Sequence, residues 1–468
     1  MRFTRRLLDR RFSVLVLAAC CLSAAAGASC SSGEEEAAPP PDSPDAAAGA
    51  ETSQDAADAG DEAPPLRDAA PFDGGPLPVV CTSQPCATSL VTAASSSGAV
   101  APAEGFCALL DDGTVACWGA NVNGQLGRGD EAGTADSPNP ARVVGLSNVV
   151  ELDHTCARTD SGDVWCWGRG PYVRNDASVS ASELAPVKVP IPPAKKIGWG
   201  SNVGCAATDD ELLCWGDNVA RQIDRTGGCG RTCPPMPIGL PPGAPIRDIL
   251  IGDATFVLRE DGSTLSWGRN PPLARASSLT RPDDPYGDPY PAPAALGAVS
   301  SIDLTSTSGC ATVGGIGYCW GAIDIASLPP GDAPSPLVHA LPKPVVAPEP
   351  LVGIATTSTA AVTDFAGDRI VWPQRWCAVG ASGAVYCWGL NSQGQAGDGT
   401  KNHAYHAVKV KGLPAPAAEV KTMPLSTCAL LTTGKVYCWG NNAYGQLGRG
   451  MFGMAEGGSL APQEVVLP

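Results

Sequence analysis

Apolar and polar positions divide the chain into three parts. An apolar run, roughly Phe12 to Ala28, follows a basic stretch with Arg2, Arg5, Arg6, Arg10 and Arg11. Ser31 to about Pro76 holds almost no large apolar residue. Beyond it, short apolar stretches end in Trp-Gly seven times, at Trp118, Trp167, Trp215, Trp267, Trp320, Trp388 and Trp439. Successive Trp positions are 49, 48, 52, 53, 68 and 51 residues apart. Such a period is the length of a four-stranded propeller blade. The pattern predicts an all-β fold, a seven-bladed β-propeller of four-stranded antiparallel blades. One large ring per repeat suits packing between neighbouring blades, so these Trp are expected in the blade core rather than on an exposed ligand platform.

Each repeat also predicts a hairpin. Six of the Trp directly follow a Cys, so on a strand the two point to opposite sheet faces. A second Cys precedes each by nine or ten residues, giving the pairs Cys107–Cys117, Cys156–Cys166, Cys205–Cys214, Cys310–Cys319, Cys377–Cys387 and Cys428–Cys438. Halfway along the ten-step units lie Asp111-Asp112-Gly113, Asp160-Ser161-Gly162, Glu260-Asp261-Gly262, Ala381-Ser382-Gly383 and Thr432-Thr433-Gly434. Glycine is third each time, where a three-residue hairpin loop needs a left-handed residue. The nine-step units need two-residue loops and supply Gly314-Gly315 and Asp209-Asp210. In the fourth unit Phe256 and Ser266 occupy both Cys positions, as expected if those positions are partners. Facing residues on antiparallel strands lie ~4.5–5.5 Å apart, within reach of a disulfide. Cys81–Cys86 and Cys229–Cys233 are expected as two further bridges. The 68-residue step holds an insertion around Thr356–Arg375 that looks like half a repeat and is too short for another blade. Its role is not readable from the sequence.

Composition adds a class and a compartment. Charged residues are 17%, while Gly (55) and Pro (45) are plentiful, as in a chain of short strands and turns. Nineteen Cys read as disulfides in an exported protein, and the spacings are too long for zinc sites. Residues 1–29 have the basic, apolar and small-residue order of a signal peptide. Residues 30–77 form an Ala/Pro/Asp/Glu-rich tether expected to be disordered. Residues 78–468 form the propeller. The net charge is −16, with −11 of it in residues 31–75, which argues against nucleic acid.

The best repeat copies, Cys107–Gly129, Cys377–Gly399 and Cys428–Gly450, read Cys-Ala-Leu-x-x-Asp-Gly-Thr-Val-x-Cys-Trp-Gly-x-Asn-x-x-Gly-Gln-Leu-Gly or close to it. Pro140-Ala141-Arg142-Val143 and Pro186-Val187-Lys188-Val189 mark a later strand. This pattern resembles the regulator-of-chromosome-condensation repeat, especially its secreted bacterial variants. The second to fifth units depart from it by lacking Gly-Gln-Leu-Gly. The N-terminus resembles that of a bacterial lipoprotein, in which a Cys becomes the acylated terminus. Cys30 fits by apolar length and by its place before the spacer, and Cys20 fits the local sequence. The resemblance implies a protein anchored at the bacterial outer membrane or cell surface, or a secreted or periplasmic one if no lipid is added. The membrane is then contacted through the lipid anchor alone.

Little in the sequence carries chemistry. The four His are His154, His339, His403 and His406, and none sits in a nucleophile, zinc-protease or phosphate-loop motif. His403 and His406 are a weak candidate metal pair, better read as part of a solvated loop. No catalytic residue, cofactor or metal site is expected. Relatives of this repeat include an exchange factor for a small GTPase and a secreted β-lactamase inhibitor, which act on proteins through loop faces. The resemblance thus implies a monomeric, non-catalytic binding or scaffold module for a protein or glycan partner outside the cytoplasm. The alternative is an enzyme or regulator, either glycan-active or exchange-like by family analogy. Convergent buried acids at a propeller mouth favour the enzyme, and exposed aromatic residues favour binding. Partner specificity is expected in the stretches Arg221–Pro245, Asn270–Pro293 and Ala322–Arg375.

Overall fold

The computed structural model describes residues 72, 74–93, 103–169, 182–200, 202–270, 272–275, 288–321, 341–358, 360–363, 369–372, 374–453 and 458–468. Seven four-stranded antiparallel sheets follow one another along the chain as the blades of a propeller. Blade 1 comprises Ala87–Thr92, Gly105–Leu110, Val115–Gly119 and Ser137–Arg142. The first strands of the other blades are Val149–Asp153, Lys196–Gly200, Ile246–Ile251, Val299–Leu304, Leu351–Thr356 and Ala417–Thr422. Each first strand touches those of the adjacent blades, so the seven line the axis. Fourth strands lie outermost and carry the prolines, as in Ser137–Arg142 and Asp288–Pro293, because an edge strand tolerates a missing N–H.

The central hairpins follow the expected register. Cys107 faces Cys117, and the other five pairs face each other likewise. All six pairs are bonded, as are Cys81–Cys86 and Cys229–Cys233. A bridge closing a loop of this size contributes about 2–3 kcal/mol in the chain-entropy picture. In blade 4 Phe256 faces Ser266. There Phe256 packs its ring 5.9 Å from Trp320. Arg275, itself buried, donates to Ser266 Oγ and pairs with Asp288. An aromatic contact and a buried guanidinium stand where other blades have a bridge.

The glycine after each Trp has a backbone reason. Gly119 has φ 101°, and a Cβ there would lie 2.6 Å from the Glu104 carbonyl oxygen. The other six Trp-Gly glycines also have positive φ. The register to the fourth strand slips at this point in several blades, as between Cys117 and Gly119. Only glycine adopts this bulge without strain.

The Trp rings knit successive blades together. Trp118, Trp167, Trp267, Trp320 and Trp439 are fully buried, and Trp215 nearly so. Trp167 donates its indole N–H to Gln125 O of the preceding blade at 2.9 Å. Trp267, Trp320 and Trp439 bond the blades before them in the same way, through Gln222, Pro272 and Gln395. Trp118 of blade 1 bonds Gln446 O of blade 7, which continues the pattern across the junction of the chain ends. Two positions depart from this: the Trp215 indole N–H has no acceptor among the described residues, and Trp388 is half-buried and stacks on Trp376 at 6.2 Å.

Ring closure has additional ties. Val80 N donates to Thr432 O, Ala87 N to Gly434 O and Gly450 N to Pro138 O. The segment before Cys81 acts as a strap: Phe72 lies against Gly315 and Pro350, and Leu77 against Gly383. Phe72 and Val79 pack against core clusters of blades 6–7 and of blades 7–1 respectively.

Candidate functional site

Antiparallel order sorts the connections onto two faces. One face carries the hairpin turns and the short links between blades, such as 143–148, 189–195 and 410–416. The opposite face carries the links from first to second strands and from third to fourth. The latter are long: 120–136, 170–181, 218–231, 269–287, 322–342, 390–403 and 441–458. The Thr356–Arg375 insertion is also there, as a separate hairpin of Ala360–Thr363 and Arg369–Trp372. These are here called the turn face and the loop face. The strap lies on the turn face. Among the described residues, the exposed large hydrophobics that are aromatic or Met are Tyr290, Tyr405, Met451 and Phe452. All four lie in third-to-fourth connections or in the outer-strand ends that follow them.

The long variable stretches are only partly loop. Arg221–Pro245 contains the outer strand Thr232–Ile238 and a turn-face link. Asn270–Pro293 ends in Asp288–Pro293. Ala322–Arg375 contains Lys343–Pro344 and the axial strand Leu351–Thr356. Outside these strands and turn-face links lie 221–231, 270–287 and 322–342, of which 221–231, 270, 272–275 and 341–342 are described.

Charged residues gather at the axis, which the linear sequence does not reveal. Glu151 and Asp153, Lys196, Asp248, Asp303, and Glu419 and Lys421 all lie on first strands. Several of these side chains satisfy the unpaired inner edge of the next blade. Asp153 accepts Trp199 N at 2.7 Å, Asp303 accepts Thr356 N at 2.7 Å and Glu419 accepts Leu90 N at 3.1 Å. Ser301 plays the same part with Ile354 N. Glu151 holds Ile197 N and the Arg158 guanidinium. Convergent acids thus exist at the axis, but these carboxylates already have structural work as acceptors.

Burial raises the Asp303 and Glu419 carboxyls above their ordinary range, with Lys421 opposing. For Lys421 burial disfavours the charge, but Glu419, Asp303, Asp153 and Asp248 outweigh it and raise its pKa. Burial pushes Asp248 up to about 6, against the pull of Lys196. Between pH 4 and 6 the folded protein therefore holds a proton on Asp248 that the unfolded chain releases. Its ionisation costs stability as pH rises through that window. Asp248→Asn is expected to stabilise the fold by about 1–3 kcal/mol at pH 8 and by nothing at pH 4, measured by urea unfolding. A variant no more stable than the parent at pH 8 would refute this reading.

A cavity of about 470 Å³ opens beside the axis on the loop face, lined by residues of blades 1 to 5. Arg169, Arg231 and Arg269 line it together with Asp217, Asp253, Gln125 and the edge of Trp199. A second cavity of about 340 Å³ continues across the axis toward Lys421 and Asp303. His154 borders both, with φ 51° and Nδ1 2.7 Å from Asp153 Oδ1. Burial works against its charge, but Asp153 and Asp303 raise its pKa overall.

The other residues singled out by sequence are not brought together. His403 is half-buried and its ring packs tilted against Tyr405 with centroids 4.4 Å apart, while His406 is exposed on the strand Ala404–Lys409 rather than in a loop. Cys81, Cys86 and Asp111 cluster closely enough for a metal, but the two sulfurs are spent on their bridge. Asp224 orders the loop closed by Cys229–Cys233: bonds from Thr226 and from Cys229 N hold its carboxyl down to about 2. Cys20, Cys30 and His339 lie outside the described residues. No helix of the described residues is long and apolar enough to cross a membrane.

Comparison with known proteins follows the same repeat. The regulator of chromosome condensation (RCC1) repeat profile matches residues 112–156, 152–172 and 426–446. The chain is an RCC1-repeat β-propeller. It is 26% identical over 363 residues to the Arabidopsis thaliana ultraviolet-B receptor UVR8, covering 73% of this chain and 76% of that protein. It is 27% identical over 176 residues to the human E3 ubiquitin-protein ligase HERC2, covering 35% of this chain but only 4% of HERC2. Among solved structures, Prp20p from Saccharomyces cerevisiae, described with its binding to Gsp1p and histones, superposes with a TM-score of 0.58 at 19% identity. That match covers 76% of this chain and 87% of Prp20p and bears on the fold. The eight bridges among the described residues of this propeller fit an oxidising environment.

Proposed function

We propose that this propeller is an exported, non-catalytic module that binds a protein partner through its loop face. The observation that carries the reading is the partition of the connections. Every long third-to-fourth link, the inserted hairpin, the cavity and the exposed aromatic residues share one face, while short links, turns and the strap occupy the other. Loops on a rigid scaffold are where partner recognition concentrates, and exposed Tyr, Phe, Met and Arg are the side chains interfaces favour. Prp20p, of the same fold, is described with protein ligands. Three axial acids support this reading over an enzyme, because Asp153, Asp303 and Glu419 each give one oxygen to a backbone N–H of the next blade.

The triple variant Val219→Asp, Tyr405→Asp, Phe452→Asp changes exposed side chains on three blades of the loop face. It is expected to keep its unfolding midpoint within roughly 2 °C and to lose partners that the parent retains from envelope extracts. Undiminished capture by the triple variant would refute the loop-face reading.

Anchoring by an acylated Cys30, with Cys20 as the alternative, completes the proposal. Cys30→Ser is expected to move the protein from the membrane to the soluble fraction, since acyl chains supply the anchor. If Cys30→Ser and Cys20→Ser both stay membrane-bound with unchanged mass, the protein is not a lipoprotein.

A further inference from the structure

We infer that the loop-face cavity beside the axis is a carboxylate site, built to receive an acidic side chain of the protein partner. The inference rests on the loop-face reading and adds the chemistry of what enters. Three guanidinium groups, Arg169, Arg231 and Arg269, line the cavity against two carboxylates, Asp217 and Asp253. Among the described lining residues guanidinium groups outnumber carboxylates by one, on a chain whose net charge is −16. Arg269 is paired with Asp253 at 3.0 Å. Arg231 is exposed, and among the described residues its guanidinium has no hydrogen-bond or ion-pair partner.

A second and independent observation is an unmet donor in the wall. Gln125 is 2% exposed, and its Nε2 has no acceptor. Its Oε1 is occupied by Asn123 N at 2.9 Å, which fixes the amide orientation. The corresponding amides are all satisfied by the following blade. Gln222 donates to Gly252 O and Thr255 Oγ1, Gln395 to Pro424 O, and Gln446 to Glu104 Oε2. The repeat thus supplies an acceptor at this position in three blades, Gln222 at the same cavity among them, and leaves it out at Gln125. A buried amide donor without a partner costs about 1–3 kcal/mol, so its persistence at a cavity wall marks a place where an incoming acceptor completes the bonding. A carboxylate satisfies both demands: its two oxygens suit the planar fork of arginine and accept from an amide. The cavity volume is in the range of sites that enclose a small group. The exposed Val219 in its lining and the exposed aromatics on the same face favour a protein as the bearer of that carboxylate.

The test uses the full chain, oxidised, and fluorescein-labelled hexaglutamate followed by anisotropy at low salt. The chain as a whole repels a polyanion, so saturable binding reports a local site. Hexaglutamate is expected to bind saturably and hexaglutamine not at all. Arg231→Glu is expected to weaken hexaglutamate at least tenfold with an unchanged melting temperature. Gln125→Glu keeps the acceptor for Asn123 N but replaces the donor, and is expected to weaken it comparably. No binding, or equal binding by the parent and both variants, overturns the proposal. Tighter binding of trigalacturonate than of hexaglutamate, lost in Arg231→Glu, overturns it in favour of an acidic glycan. Full competition by millimolar inorganic phosphate overturns it in favour of a general anion site. Partner capture that survives Arg231→Glu but fails in the triple variant would remove the carboxylate site and leave the loop-face function standing.

Discussion

Replacing Arg375 by leucine is expected to cost about 3–5 kcal/mol, enough to unfold much of the protein under mild conditions. Arg375 sits at the start of the second strand of blade 6 and is fully buried. Its Nη1 donates to Met423 O at 2.8 Å and Ser426 O at 3.0 Å, and its Nη2 to Gln395 O and Thr427 Oγ1 at 2.6 Å. From the other side, Glu104 of blade 1 accepts Leu425 N at 2.7 Å and the Ser426 hydroxyl at 2.6 Å. Blades 6, 7 and 1 are thus tied by one buried polar network at the junction of the chain ends. Burial lowers the Arg375 pKa to about 9, against the attraction of Glu104, so the guanidinium stays charged at neutral pH. Burial raises the Glu104 carboxyl. Leucine would take the guanidinium donor from the Met423 carbonyl, while the Ser426 and Gln395 carbonyls keep Met423 N and Trp439 Nε1, and would leave Glu104 without a nearby positive charge; the loss of the buried charged donor dominates the cost. Adding Glu104→Gln to Arg375→Leu should restore part of the loss. Urea unfolding of the two single variants and the double variant measures the coupling. A loss below about 1 kcal/mol for Arg375→Leu would show that the ring closes without this network.

Trp439→Ala is expected to cost about 3–5 kcal/mol, and Trp388→Ala less than half as much, although both occupy the same repeat position. Trp439 is fully buried among Val410, Val420 and Leu431, and its N–H bonds Gln395 O at 2.9 Å. Its removal leaves a cavity between blades 6 and 7 and takes one of three donors from the Gln395 carbonyl, which keeps Arg375 Nη2 and Thr427 Oγ1. Trp388 keeps part of its surface in water and rests on Trp376, which can shift into the space. Equal costs for the two, by thermal or urea unfolding, would mean that burial is not what the Trp positions contribute.

The hairpins were legible because turn chemistry is local. Gly113 and its counterparts must be left-handed whatever surrounds them, and the Cys spacing repeats the same register independently. The period of the Trp positions then gave blade number and fold. Trp-Gly was legible as a repeat, but its glycine was not explained until the bulge at Gly119 met the Glu104 carbonyl. The axial carboxylates were illegible for a topological reason. Asp153 and Asp303 belong to different blades and gain meaning only when the ring brings their strands to one axis. Glu104 and Arg375 are likewise ordinary charged residues in the linear sequence. Phe72 and Leu77 sit in an acidic, proline-rich stretch whose composition predicts disorder. Their contacts with Gly315 and Gly383 depend on grooves that the turns of blades 5 and 6 create. The cavity arose from degenerate repeats, where Arg169 and Arg269 replace the small or polar residue that follows Trp-Gly in blades 1 and 7.

Hydrogen–deuterium exchange of the propeller with and without its captured partner tests the central claim most directly. The account predicts slowed exchange in 120–136, 218–231 and 390–403 and around the cavity, with the turns at 111–114, 160–163 and 432–435 unchanged. Protection confined to those turns and to the strap would contradict it.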